Sequence, residues 1–151
     1  MIIDARTLPD SKNKVYEYLV SVNDDFTPRI TTKTALKDYA DKILKLANVY
    51  VSYEDNLIQG LIVFYTNNLE TKESYGAFMS VAERYRGKGI SRKLMDKFIE
   101  KSKEDGMSAA TCHSNSPAAI NLFRKYGFVE QSREKFEDEH IPDRLFFKKK
   151  L

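Results

Sequence analysis

The stretch Val81-Ala-Glu-Arg-Tyr-Arg-Gly-Lys-Gly-Ile-Ser-Arg-Lys-Leu94 is where the chain changes its period. Upstream, Ser74 to Val81 is β-rich; downstream, Ile90, Leu94, Phe98 and Ile99 mark one face of a helix that stops at Asp105-Gly106. A strand therefore passes through a turn holding two glycines directly into an amphipathic helix. The backbone N–H groups from Arg86 to Ser91 then lie at a helix N-terminus, where unpaired amides and the macrodipole favour an anion such as a pyrophosphate. Gly87 and Gly89 let that backbone approach a ligand closely, and the basic residues around them oppose the dipole unless an anion sits there. Neither the G-x-x-x-x-G-K-S/T loop nor the G-x-G-x-x-G fingerprint fits, because Gly87-Lys88-Gly89 is followed by Ile-Ser-Arg.

On the N-terminal side, Met1 to Arg6 reads as a short strand, and a helix opens at Pro9-Asp10 with Val15, Tyr18, Leu19 and Val22 at helical spacing. Asn23 to Pro28 breaks it, and a second helix follows Thr31/Thr32 with Leu36, Tyr39, Ile43, Leu44 and Ala47 on one face. Asn48 to Tyr53 and Leu57 to Thr66 are β-rich runs joined by Glu54-Asp55-Asn56, short and polar enough for a hairpin. On the C-terminal side, Met107 to His113 is a strand, Pro117 sits at a first helical position, and the helix from Ala118 runs to Tyr126 and ends at Gly127. Phe128 to Phe136 and Arg144 to Lys149 complete the pattern as two strands. The order predicts an α+β or α/β sheet with helices on its faces.

Composition bounds the rest. The 151 residues fit one domain, 1–151, and contain no linker or repeat. Nine Phe and nine Tyr argue against disorder, and a net charge of +3 is too mild to mark a nucleic-acid binder, Lys148-Lys-Lys150 reading as protection of a strand end. The lone Cys112 excludes an internal disulfide and a Cys-rich zinc site, and His113 and His140 are too few for a histidine metal cluster. No signal peptide or membrane-length apolar run is visible, so a cytoplasmic protein without a membrane partner, monomer or homodimer, is expected.

Arg84-x-x-Gly87-x-Gly89 resembles the acetyl-CoA signature Q/R-x-x-G-x-G/A of the GCN5-related N-acetyltransferase (GNAT) superfamily. The block Asn115-Ser-Pro-Ala-Ala-Ile-Asn-Leu-Phe-Arg-Lys-Tyr-Gly-Phe128 is similar to that family's following motif, N-x-x-A-x-x-L-Y-x-K-x-G-F, with Ser116 in register with the usual Asn and Phe123 where a tyrosine is common. The resemblance implies a mixed, mostly antiparallel sheet flanked by about four helices, with a cofactor cleft between two splayed central strands. It also implies acetyl transfer from acetyl-CoA, without a metal, to a primary amine by direct attack. Met79 to Val81 would pair with the pantetheine arm, the turn from Arg86 through Lys88 and Ile90 to Ser91 would hold the pyrophosphate, Lys88 and Lys125 would add charge, and Arg84, Ser116 and Phe123 of the two motifs would join the cofactor wall, while by residue type Leu122, Phe123 and Phe128 read as core.

The base is open on sequence alone. His113 titrates in the right range and ends the strand bordering the cleft. Glu73 and Tyr75, two apart on the strand leading to the signature, are alternatives acting through water. Cys112 as a nucleophile lacks a base fixed by sequence, and with Phe123 in place of tyrosine the acid role falls to Tyr126 or to water. The acceptor is expected to meet Asn23 to Thr32, where Asp24 and Asp25 either hold an ammonium or serve the turn that ends the helix, and the loop Asp138 to Arg144. An amino sugar, another small amine and a peptide N-terminus all remain open as acceptors, as does a non-catalytic CoA-binding module.

Overall fold

The computed structural model describes residues 1–26 and 33–151, so the Thr27 to Thr32 part of the expected acceptor segment lies outside the described residues. Among the described residues seven strands, β1 (Ile2–Asp4), β2 (Asn48–Glu54), β3 (Leu57–Tyr65), β4 (Glu73–Val81), β5 (Ala109–Ser114), β6 (Val129–Glu134) and β7 (Arg144–Lys150), form one sheet in the order β1-β2-β3-β4-β5-β7-β6. Every neighbouring pair is antiparallel except β4 and β5. Among the described residues four α-helices, α1 (Ser11–Val22), α2 (Lys33–Leu46), α3 (Ile90–Glu104) and α4 (Pro117–Lys125), accompany it. The predicted α+β class with four helices is the observed one.

Several expected bounds shift at their edges: the strand expected over Met107 to His113 runs Ala109–Ser114, and the one expected over Phe128 to Phe136 runs Val129–Glu134. The first strand ends at Asp4 because Ala5–Thr7 turns into a 3-10 helix, its start capped by the Asp4 carboxylate on Arg6 N–H. The β2–β3 hairpin needs only two loop residues, since Asp55 and Asn56 adopt φ of 50° and 62°, the pair of left-handed conformations that matches the twist of the strands.

The sheet divides the apolar residues into two cores. On one face α1 and α2 bury Leu19, Leu36 and Ile43 against Val49, Val51, Leu61 and Val63. On the other, Leu94, Met95 and Phe98 of α3 and Phe123 of α4 pack with Phe64, Cys112 and Phe147. Side chains alternate between these faces along each strand until a bulge intervenes. In β4 the register runs Phe64↔Gly76 and Val63↔Phe78, leaving Ala77 unopposed. One extra residue moves every later side chain to the other face, so Met79 and Val81 join the α3-side core instead of sharing the face of Tyr75.

Candidate active site

The Val81–Leu94 stretch folds as its spacing predicts, with a 3-10 turn at Glu83–Tyr85 before α3. Gly87 and Gly89 take φ of 79° and 80°, and Gly89 is the N-cap of α3, whose first turn carries no acidic residue. A Cβ at either glycine would meet nothing within 4 Å. The left-handed backbone, not crowding by the protein, therefore reserves both positions for glycine.

β4 and β5 pair over only three rungs, Glu73↔Ala109, Ser74↔Ala110 and Tyr75↔Thr111. Beyond them the strands part, and a cleft of about 770 Å³ opens between Met79–Val81 on one side and Ser114–Ser116 with α4 on the other. The glycine turn and the start of α3 form its end. Of the residues assigned from sequence to the cofactor, Met79, Val81, Arg86, Gly87, Gly89, Ile90, Ser91, Ser116 and Lys125 line this space. Ser116 also caps α4, accepting from Ala119 N–H at 3.5 Å with Pro117 behind it.

Three assigned residues do not line the cleft. Arg84 and Lys88 lie over the Tyr85 ring, 5.1 and 5.7 Å from its centre. Phe123 is buried, its ring 6.0 Å from that of Phe128 and 5.7 Å from that of Phe147. The reason is helical phase: Ala119 and Leu122 of α4 face the cleft, and one residue further on the side chain has turned into the core. Tyr126 is likewise turned away, with Oη 2.7 Å from Asp96 Oδ1 and 3.0 Å from Arg92 O. Burial, reinforced by Asp96, pushes its pKa up to about 12.

Sequence reasoning missed how Arg86 is held. Its Nε donates to Val81 O at 3.0 Å and its Nη2 to Asp25 Oδ2 at 3.3 Å, and Asp25 and Phe26 line the same cleft. Asp25, read as an ammonium holder, thus faces a guanidinium at the anion end. Tyr18 of α1, which the sequence shows only at helical spacing with Val15 and Leu19, reaches Ser80 Oγ with its Oη at 2.8 Å and Ser80 O at 3.2 Å, tying α1 to the cleft-side end of β4. Sixty-two residues separate that pair, and no local pattern signals it.

The catalytic candidates sit beside the last rung, on the face opposite α3. Tyr75 Oη lies 2.8 Å from His113 Nε2, and the His113 ring packs against its register partner Phe146 at 5.5 Å. Burial, then the Arg144 charge, holds the His113 pKa below its ordinary 6.5, whereas burial raises that of Tyr75. Neutral imidazole is therefore favoured and can accept a proton. Glu73 is engaged in an ion pair with Lys148 of β7. Cys112 points into the α3-side core, where burial pushes its thiol well above the usual range and away from nucleophilic thiolate. Among the described residues no group of three or more His, Cys, Asp or Glu gathers as a metal site, and no helix is long and apolar enough to cross a membrane.

Comparison with known proteins agrees with this geometry. The acetyltransferase (GNAT) family model matches residues 13–128. Among curated proteins none matches the sequence. A GNAT-family acetyltransferase structure from Streptococcus pneumoniae superposes with a TM-score of 0.78 at 16% identity, covering 100% of this chain and 98% of that one. The ribosomal-protein-alanine N-acetyltransferase of Brucella melitensis gives 0.77 at 20% identity, with 100% and 99% covered. A GNAT-family acetyltransferase from Elizabethkingia anophelis with acetyl-CoA bound gives 0.70 at 19%, with 100% and 97% covered. At these identities the superpositions speak for the fold.

Proposed function

The chain belongs to the acetyltransferase (GNAT) family, and from that premise we propose that it carries an acetyl group from acetyl-CoA to the primary amine of a small molecule, an amino sugar or another small amine. It acts as a single cytoplasmic domain over residues 1–151. The observation that carries this reading is the fork between β4 and β5, with the glycine turn at its end.

Acetyl-CoA, when bound, supplies a thioester whose carbonyl carbon an amine nitrogen attacks, forming a C–N bond as the C–S bond breaks. The residues of the cleft suit such a ligand. Beyond Tyr75, β4 keeps its β3 partner but no β5 partner, leaving an edge for the amides of an extended arm. The first-turn amides of α3, with Arg86, Arg92 and Lys125 along the wall, fit a pyrophosphate.

At the rung where the strands part, Tyr75 is the more exposed residue of its pair, and its hydroxyl passes the ammonium proton of the acceptor to His113. Burial suits His113 to that task, because it keeps the imidazole neutral. Water protonates the departing thiolate, since neither Phe123 nor Tyr126 faces the cleft.

The test is thermal melting with acetyl-CoA, ATP and NAD, followed by thiol release over a panel of amines. Acetyl-CoA at about 100 times its Kd adds roughly 2.7 kcal/mol, or about 5–10 °C for a chain of this size, and ATP and NAD add nothing. A shift with ATP and none with acetyl-CoA sinks the reading.

A further inference from the structure

The sheet carries a row of rings that the cleft does not use. Tyr65 of β3, Tyr75 of β4, His113 of β5 and Phe146 of β7 lie side by side on the α1/α2 face, with successive centres 6.5, 5.7 and 5.5 Å apart. Tyr75, in the middle, is 43% exposed, which is unusual for a ring on a central strand. The row crosses the sheet beside the last β4–β5 rung, on the face opposite the Met79 and Val81 side chains. A group emerging through the fork therefore meets these rings.

The charges on this face are unequally committed. At the end away from the fork, Glu73 and Lys148 neutralise each other. At the fork end stands Arg144, two residues before Phe146 on β7 and so on the same face. Its guanidinium lies over the Phe136 ring with Cζ 5.1 Å from the centre, and its nearest carboxylate, Glu134, is 4.0 Å away, beyond hydrogen-bond length. Among the described residues Arg144 donates no hydrogen bond. A guanidinium resting over a ring, with no hydrogen bond to its donors among the described residues, suits a carboxylate taken in two-pronged fashion.

We propose that this face binds the acceptor and selects an α-amino carboxylate with a flat apolar side chain. The carboxylate lies on Arg144, the side chain on the rings of Tyr75 and Tyr65, and the amine at the Tyr75–His113 pair. A neutral amino sugar leaves the Arg144 donors without an anion, and a polyamine finds Glu73 already paired with Lys148. This assignment rests on the transferase reading above and narrows its acceptor.

Thiol-release kinetics with acetyl-CoA test it on five acceptors: phenylalanine, its amide, phenethylamine, alanine and glucosamine. The expected kcat/KM for phenylalanine exceeds those of the amide and phenethylamine by about 10–100-fold, the span of a charge-assisted contact. Arg144→Gln collapses that ratio, chiefly through KM, and Arg144→Lys, which keeps charge but loses the fork, restores only part of it. Tyr65→Ala erodes the preference for phenylalanine over alanine. Melting with acetyl-CoA accompanies each variant to confirm that it is folded. Equal use of phenylalanine and its amide, glucosamine as the best acceptor, or an Arg144→Gln enzyme with the preference intact overturns the proposal. Acetyl-CoA binding without turnover on any of the five overturns the acceptor class alone, whereas absence of acetyl-CoA binding in the unaltered protein overturns the transferase reading itself.

Discussion

Gly60 of β3 stands beneath the first turn of α3, and replacing it with alanine measures how closely the cofactor cradle depends on that seat. An added Cβ would lie 2.9 Å from Ile90 Cγ2, 3.1 Å from Ser80 O and 3.4 Å from Leu94 Cδ1. Carbon atoms prefer about 3.5–4.0 Å, so Ile90 must retreat by about 0.6 Å or more. Ser80 O is backbone and cannot swing aside. Overpacking of this kind costs about 1–3 kcal/mol, which lowers the melting temperature by about 3–10 °C at this chain length. Ile90 and Ser80 both line the cleft, so part of the cost falls on the ligand site. If that part is on the order of 1 kcal/mol, acetyl-CoA binding weakens roughly five- to tenfold. Calorimetric titration and melting with and without acetyl-CoA read the two effects separately. Gly106→Ala is the control: it has φ of 79° and open space around it, at the far end of α3. It should cost about 1–2 kcal/mol of backbone strain and leave acetyl-CoA affinity intact. The reasoning fails if Gly60→Ala changes neither quantity, or if Gly106→Ala weakens the ligand equally.

His113→Ala should lower turnover about 10²–10⁴-fold, with partial recovery at high pH as more of the acceptor amine becomes neutral. Since burial and Arg144 disfavour the imidazolium, the unaltered enzyme should lose kcat/KM on the acid side only below the ordinary histidine value of 6.5; an acid limb above 6.5 contradicts this assignment. Asp25→Asn removes the carboxylate that competes for Arg86, an exposed pair worth at most about 1 kcal/mol. Acetyl-CoA should then bind about two- to fivefold tighter at low salt; weaker binding would show that Asp25 instead positions the guanidinium. Tyr126→Phe forfeits the bonds to Asp96 and Arg92 at about 1 kcal/mol of stability with turnover unchanged, and a hundredfold loss of turnover would reinstate Tyr126 as the acid.

Local features were legible in the sequence and non-local ones were not. The strand–glycine turn–helix of Val81 to Leu94, the β2–β3 hairpin and the Pro117 helix each announce themselves through neighbours in the chain, and the structure has them. Ala77 carries no such sign: whether a strand takes an extra residue is decided by the pairing of β4 with β3, and with it the face on which Met79 and Val81 lie. Gly60 looks like any strand glycine until α3 is laid over it. The ring row needs the register of four strands, and Arg86 finds Asp25 across 61 positions. Phe123 was placed by its motif in the cofactor wall, whereas the helical phase set by Ala119 and Leu122 turns it into the core.

The fork also makes the sheet mechanically uneven. Strands β1–β4 and β5–β7 are two panels sharing three rungs, and the core beneath α1 and α2 belongs wholly to the first panel. Of the two cores, among the described residues, the α3-side one spans the seam, joining Ile62 and Phe64 to Ala110, Cys112 and Phe147, with Ser102 of α3 donating to Ser74 Oγ, 2.9 Å away, while on the other face the Tyr75–His113 hydrogen bond crosses it. α3 is thus a strap across a hinge whose pin is three residues long. Any change in the angle between the panels would change the gap a ligand must enter, and α3 ties the panels together across it. A molecule seated there and bonded to both lips acts as a splint, so that the stiffness of the whole sheet becomes a property of the occupied site.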